Sequence, residues 1–260
     1  MGRYAGLIAL LVLAVAAAIY TFGTGAPVKS PAPPIPTVST IPQTPSQPRR
    51  SDTVADSSPA PPAAQTDVPL GSGFDFYVLS LSWSPTFCQT AAPGSNASQC
   101  GPSRRFGLIV HGLWPQNENG FPQDCATSEP DRVPDTIARS VLDIMPSLGL
   151  IGHEWRKHGS CSGLRQAEYF SVLRQAYQRV KIPQKLADAR APQVLAPPDI
   201  ERLFSTANPS LDAQGLSVAC EDGRLEEVRI CLTKQLEFRN CRQVDRQSCR
   251  ARSLTIPPMR

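Results

Sequence analysis

Eight cysteines constrain this chain more than any other feature. Cys88, Cys100, Cys125, Cys161, Cys220, Cys231, Cys241 and Cys249 all lie beyond residue 71 of 260, and none precedes it. Their number is even and no CxxC pair occurs among them, which speaks against a zinc knuckle or a thioredoxin-type dithiol and for four disulfides. Such bridges persist in an oxidising compartment. The expected domain is therefore cross-linked and works outside the reducing cytosol.

The N-terminus agrees with that placement. Arg3 precedes an apolar stretch from Ala5 to Phe22, a positive flank before a hydrophobic segment. As a helix those residues would span about 27 Å against a hydrocarbon layer of about 30 Å. Residues 1–26 thus read either as a signal peptide, with Ala16-Ala17-Ala18 suiting a peptidase, or as an N-terminal membrane anchor. Twelve of the 27 prolines fall between Pro27 and Pro69, which makes residues 27–70 a Pro-rich linker, extended and semi-rigid. Residues 71–260 remain, enough to bury a core without a partner. With 41% apolar and 18% charged residues, the chain is no disordered polymer, coiled coil or multi-span membrane protein. Its formal charge of +4 suits a polyanionic ligand without demanding one.

Hydrophobic periodicity gives the coarse architecture. Phe76–Trp83 alternates, with Leu79, Leu81 and Trp83 on one face and Ser80 and Ser82 on the other, and predicts a strand buried on one face and stopped by Pro85. Phe106–Val110 predicts a second strand ending at His111. Val133, Ile137, Val141 and Met145 recur every four residues and predict a helix closed by Pro146. Tyr169–Val180 and Ile200–Ala207 predict two more. A late strand follows from Val228, Ile230 and Leu232 alternating with Glu227, Arg229 and Cys231. Helices gathered between early and late strands indicate an α+β domain, a central antiparallel β-sheet with helices clustered against it.

The three histidines stand in two compact polar segments, His111 in VHGLWPQ and His153 and His158 in HEWRKHGSC. Histidine gives and takes protons near neutrality. On an ideal helix, His153, Lys157, Glu154 and His158 fall within an arc of about 140°, with Trp155 and Arg156 behind. Glu154 and His158 are four apart, so the carboxylate can hold and polarise the ring, while His153 and Lys157 offer two donors to an anion. Gly159 suits the helix C-terminus. Cleavage of a phosphodiester needs such a set: a base for the nucleophile, an acid for the leaving oxygen and cations for the non-bridging oxygens. A zinc protease would space its histidines as HExxH; here they are five apart, and no metal ligand set is expected.

At these residues the sequence resembles the ribonuclease T2 family. HGLWPQ and HEWRKHGSC look like its two active-site segments and FYVLSLSWSPTFC like its opening strand; the resemblance runs from about Phe74 to Cys249. It implies a metal- and cofactor-independent endoribonuclease that cleaves single-stranded RNA to a 2′,3′-cyclic phosphate and then a 3′-phosphate. The same resemblance makes His111 the general acid and His158 the general base. His153 would hold the phosphate, and Glu154 with Lys157 would stabilise the phosphorane. Trp114 matches a base-stacking tryptophan and Phe121 is a second candidate. Gln116 replaces an acidic base-reading residue, which leaves a broad base preference. Implied disulfides are Cys125 with Cys161, Cys220 with Cys249, Cys231 with Cys241 and Cys88 with Cys100. RNA is the expected partner of a monomer that is secreted or periplasmic, with a membrane tether if the N-terminal segment is retained; no protein partner is implied. Rival readings are a silent RNA-binding module on the same fold and a phosphodiesterase for small cyclic nucleotides.

Overall fold

The computed structural model describes residues 68–259, so the apolar N-terminal segment and all but the end of the Pro-rich linker lie outside the described residues. Strand β1 (Phe76–Trp83) runs antiparallel to β2 (Leu108–Gln116) on one side and to β5 (Arg224–Leu232) on the other. β4 (Leu216–Glu221) forms a hairpin with β5, turned through Asp222 and Gly223, both at positive φ. β6 (Leu254–Ile256) meets β5 in parallel through Arg224 and Thr255, then pairs antiparallel with β3 (Gln193–Leu195). The six-stranded sheet is thus antiparallel but for one step. Helices α1 (Ser84–Thr90) and α2 (Ala97–Cys100) follow β1. Between β2 and β3 come α3 (Asp135–Arg139), α4 (Leu148–Lys157), α5 (Gln166–Arg179) and α6 (Gln184–Ala187). α7 (Pro197–Ala207) precedes β4 and α8 (Arg242–Asp245) follows β5.

The main core forms where Leu79, Leu81 and Trp83 of β1 meet Ile151 and Trp155 of α4, Tyr169 and Phe170 of α5, and Phe204 of α7. Burial of a large apolar side chain of this kind stabilises by about 1.5–3 kcal/mol. The indole N–H groups of Trp83 and Trp155 donate to the carbonyls of Pro257 and Pro130, so neither buried ring carries an unmet donor. Pro85 sits in the first turn of α1, where a missing N–H costs nothing.

Three expectations are corrected. β1 is buried on both faces: Phe76 and Val78 pack in one cluster with Cys231 of the neighbouring β5 and with Cys241, Val244 and Trp114, and Ser80 is also buried. The segment carrying α8, held to β5 through the Cys231–Cys241 bridge, covers the face that alternation assigned to solvent. β2 does not end at His111 but continues to Gln116, paired with β1 on both sides of that residue. The helix expected from Val133 to Met145 is regular only over Asp135–Arg139. At Ser140 the chain turns: its hydroxyl donates to the Ile137 carbonyl at 2.7 Å, and its own carbonyl accepts from Arg174 of α5 at 2.9 Å. Val133, Val141 and Met145 are buried all the same, so the four-residue spacing marked a buried face without a continuous helix.

Four disulfides join Cys88 to Cys100, Cys125 to Cys161, Cys220 to Cys249 and Cys231 to Cys241, and no cysteine is left unpaired among the described residues. No helix among the described residues is long and apolar enough to cross a membrane.

Candidate active site

His111 owes its position to a β-bulge. Ser80 pairs with Gly112 and Leu81 with Val110, so His111 is the extra, unpaired residue of β2. In a regular strand residues three apart point to opposite faces. The bulge shifts the phase, and the rings of His111 and Trp114 meet edge to face with centroids 5.5 Å apart. Gly112 between them has no room for a side chain: a Cβ there would lie 2.0 Å from Glu154 Oε2 and 2.4 Å from Trp114 Nε1.

α4 brings the second segment alongside. Ser147 caps it by accepting from Leu150 N–H at 3.3 Å. Ile151 and Trp155 anchor it in the core, while His153 and Lys157 remain on the accessible side. Glu154 is buried at 1% exposure, yet it does not hold His158 as the four-residue spacing suggests. Its Oε2 accepts from Trp114 Nε1 at 2.8 Å, and its Oε1 lies 3.5 Å from His111 Nε2. The expected pair fails because the helix ends at Lys157. His158, at φ −122° and ψ −48°, has left the helical path, and its Nδ1 is buried with no hydrogen-bond partner. Gly159 stands just past the helix C-terminus, as expected. It opens a 3-10 turn over Gly159–Ser162, and glycine is required there because a Cβ would lie 2.6 Å from Trp155 and 2.8 Å from Tyr169. Cys161 in this turn is bonded to Cys125, and Asp124 N–H donates to the Lys157 carbonyl at 2.8 Å, so the loop beyond β2 is fastened to the end of α4.

The two imidazoles titrate in opposite directions. Burial alone would pull His111 down, but its Nδ1–H donates to the Glu227 carboxylate, and the negative charges of Glu227 and Glu154 add to that bond, so its pKa is raised above 6.5. His158 is lowered to about 4, first by burial and then by the positive charges of Lys157, His111 and His153. His153 is also lowered, by burial and by Lys157 and Arg156. Glu227 would be raised by burial, but the bond to His111, that ring's charge and Arg229 together bring it to about 2. Glu154 goes up, because burial outweighs His111 and the Trp114 bond.

Glu227 and Arg229 were not singled out in the sequence as site residues. Glu227 links His111 to Arg229, whose Nη2 lies 2.8 Å from its carboxylate, and the Arg229 guanidinium stacks 5.4 Å from the Trp114 ring centroid. The signal was present: two opposite charges two apart on one face of an apolar strand need a reason to be there.

A cavity of about 360 Å³ is lined by all eight side chains expected at the site other than the cysteines, with His111 and His158 both on its wall. Trp114 packs on His158 too, with centroids 5.3 Å apart. Gln116 is buried at its base, and Phe121 is 54% exposed at its mouth. A second cavity, about 400 Å³, adjoins the first at His111 and His153 and runs past Thr86, Asn96, Leu150 and Glu226. Among the described residues no three His, Cys, Asp or Glu side chains are grouped to hold a metal ion.

One ring shifted toward its protonated form and one shifted away from it line the same cavity, with Lys157 beside them. Two imidazoles tuned apart on a disulfide-braced α+β sheet match the class of endoribonucleases. The model of the Ribonuclease T2 family matches residues 74–241, and the chain belongs to that family. It is similar to a ribonuclease of Aeromonas hydrophila, 33% identical over 178 residues that cover 62% of this chain and 73% of the relative. A probable ribonuclease of Haemophilus influenzae is 32% identical over 179 residues, 64% of this chain and 61% of that protein's length. The fold is that of an RNase-related protein from Calystegia sepium (24% identity, TM-score 0.59, 73% of this chain and 100% of that one). It is shared by the SF11-RNase of Nicotiana alata (19% identity, TM-score 0.55, 72% and 100%).

Proposed function

We propose that the domain cleaves single-stranded RNA by metal-independent transesterification, leaving a 2′,3′-cyclic phosphate that is then opened to a 3′-phosphate. The observation that carries this reading is the opposed tuning of His111 and His158 on one cavity wall. Neutral His158 takes the proton from the ribose 2′-OH, and the 2′ oxygen attacks the adjacent phosphorus. Charged His111 gives the Nε2 proton to the departing 5′ oxygen; its Nδ1 is occupied by Glu227, so Nε2 is the nitrogen at hand. In the second step the roles reverse: His111 takes a proton from water, the resulting hydroxide opens the ring, and His158 returns a proton to the 2′ oxygen. Lys157 and His153 face the non-bridging oxygens, and Glu154 orients Trp114. Pairs of groups whose environments drive their pKa values apart are how one site supplies both acid and base.

Trp114, Gln116 and Phe121 form the surface for the base on the 2′-OH side. Stacking there accepts any base at about 1–3 kcal/mol each, which supports a broad preference. The catalytic unit is residues 71–260, and residues before it serve as export segment and spacer; Val68, just ahead of the unit, packs against its core. Four disulfides suit an exported, secreted or periplasmic enzyme.

Long RNA incubated in EDTA and followed by end analysis tests this function. Oligomers ending in cyclic phosphate are expected, and they should be absent with His158→Ala, which costs on the order of 10² to 10⁴ in rate. Unchanged RNA, or hydrolysis of small cyclic nucleotides only, would refute it.

A further inference from the structure

Residues just past the family match carry a feature that the chemistry above does not use. The match ends at residue 241, and α8 begins at Arg242. α8 and the turn after it form a ridge with two sides. Gln243, Val244 and Gln247 line the cavity that holds His158 and Trp114. Arg242, Arg246 and again Gln243 line a separate cavity of about 550 Å³, together with Arg239 and Asn240. Four-residue spacing puts Arg242 and Arg246 on one side of the ridge. Gln243 belongs to both cavities and is fixed between them, since its Oε1 accepts from Gly120 N–H at 3.0 Å.

The cavity lined by Arg242 and Arg246 is positively charged. Arg239 is committed: Nη2 donates to Glu118 at 2.7 Å, and the guanidinium stacks 4.3 Å from the Phe76 ring centroid. Arg242 and Arg246 are exposed, and among the described residues the ion pair of this cavity is the one between Arg239 and Glu118. Cys241, bonded to Cys231, pins the start of the ridge on β5. Two guanidiniums with a surplus of positive charge, on a disulfide-held turn beside amide side chains, are equipment for phosphate oxygens.

Direction follows from the roles assigned above, on which this inference rests. His158, the base, lines only the first cavity, whereas His111, the acid, lines both the first and the one past Leu150. The nucleoside that supplies the 2′ oxygen therefore occupies the first cavity, and the leaving nucleoside lies past His111. Along β1, Phe76 lines the arginine cavity, Val78 the first cavity and Ser82 the one past Leu150, so the cavity beyond Gln243 lies on the side away from the leaving group. We propose that Arg242 and Arg246 form a phosphate-binding site for the RNA strand on the 5′ side of the cleaved nucleotide, so that the enzyme favours chains over dinucleotides.

The test uses full-length protein and oligodeoxynucleotides carrying one ribonucleotide, so that cleavage is confined to one linkage, lengthened on the 5′ side by none to four deoxynucleotides. kcat/KM should rise about three- to tenfold over the first one or two added phosphates, the size of one or two exposed ion pairs. The rise should shrink with salt, as counterion release requires. The R242A/R246A double variant should lose the rise while cleaving the unextended substrate like the wild type. Lengthening on the 3′ side should affect both proteins alike. The ratio of extended to unextended rate is internal to each protein, so partial loss of folded material cancels, and the single variants are read the same way. A rise that persists in the double variant, or its absence in the wild type, overturns the inference. Inactivity of the wild type on every ribonucleotide-containing substrate would instead overturn the proposed function itself.

Discussion

His111 and His158 are the same side chain in two environments, and charge rather than burial separates them. Both lose water; only His111 faces carboxylates. Cleavage should therefore show a bell-shaped kcat/KM profile, rising with pH near 4 as His158 loses its proton and falling above 6.5 as His111 loses its own. In the proposed mechanism Glu227 acts through His111 and is a positioning residue. Glu227→Gln should move the alkaline limb down by about one to three pH units, since an adjacent opposite charge shifts a pKa by that much; an unmoved limb would show that the contact does not tune the acid. Stability follows the same pair. The raised His111 contributes below 6.5 and loses its contribution as pH rises through its folded pKa, while the lowered Glu227 contributes above 4.5 and loses its share as pH falls toward 2. Wild type and Glu227→Gln should differ most in urea midpoint between those limits. Gly112→Ala puts a methyl against Glu154 and Trp114 and should cut kcat/KM by at least tenfold, with the unfolding midpoint lowered as well, because overpacking costs about 1–3 kcal/mol.

At the scale of elements, the geometry depends on how β2 and α4 are joined. Cys125–Cys161 closes a loop of 36 residues between the two segments that carry the histidines. Replacing both cysteines by Ala should lower stability by about 2–4 kcal/mol, measured by urea unfolding. Activity should fall further than the folded fraction does, since His158 stands between α4 and the tethered turn; equal losses would reduce the bridge to a generic brace. Much of this was legible in the sequence. Residue types and their local order identified both histidine segments, because acid, base and cation must be those residues whatever the fold. α5 and α7 follow their hydrophobic spacing closely. Illegible were the partners that tertiary contact supplies: Glu154 serves Trp114 and His111 because the helix ends one residue before His158, and Glu227 comes from a strand more than a hundred residues away along the chain. Alternation assigned Glu227 to a polar face without saying what that face meets.

For the whole molecule, the sheet, four bridges and cleft form one unit among the described residues, 68–259. A chain starting at residue 68 should cleave RNA with the full-length kcat/KM on short substrates, checked by steady-state assay; a tenfold loss would give the preceding residues a part in catalysis. The one-residue irregularity of β2 reaches further than its size suggests. A straight ladder would divide the imidazole at 111 and the indole at 114 between its two sides, so on an unbroken ladder this three-residue spacing could not put both rings on one face. Transplanting the chemistry to another scaffold means carrying over the insertion together with the histidine.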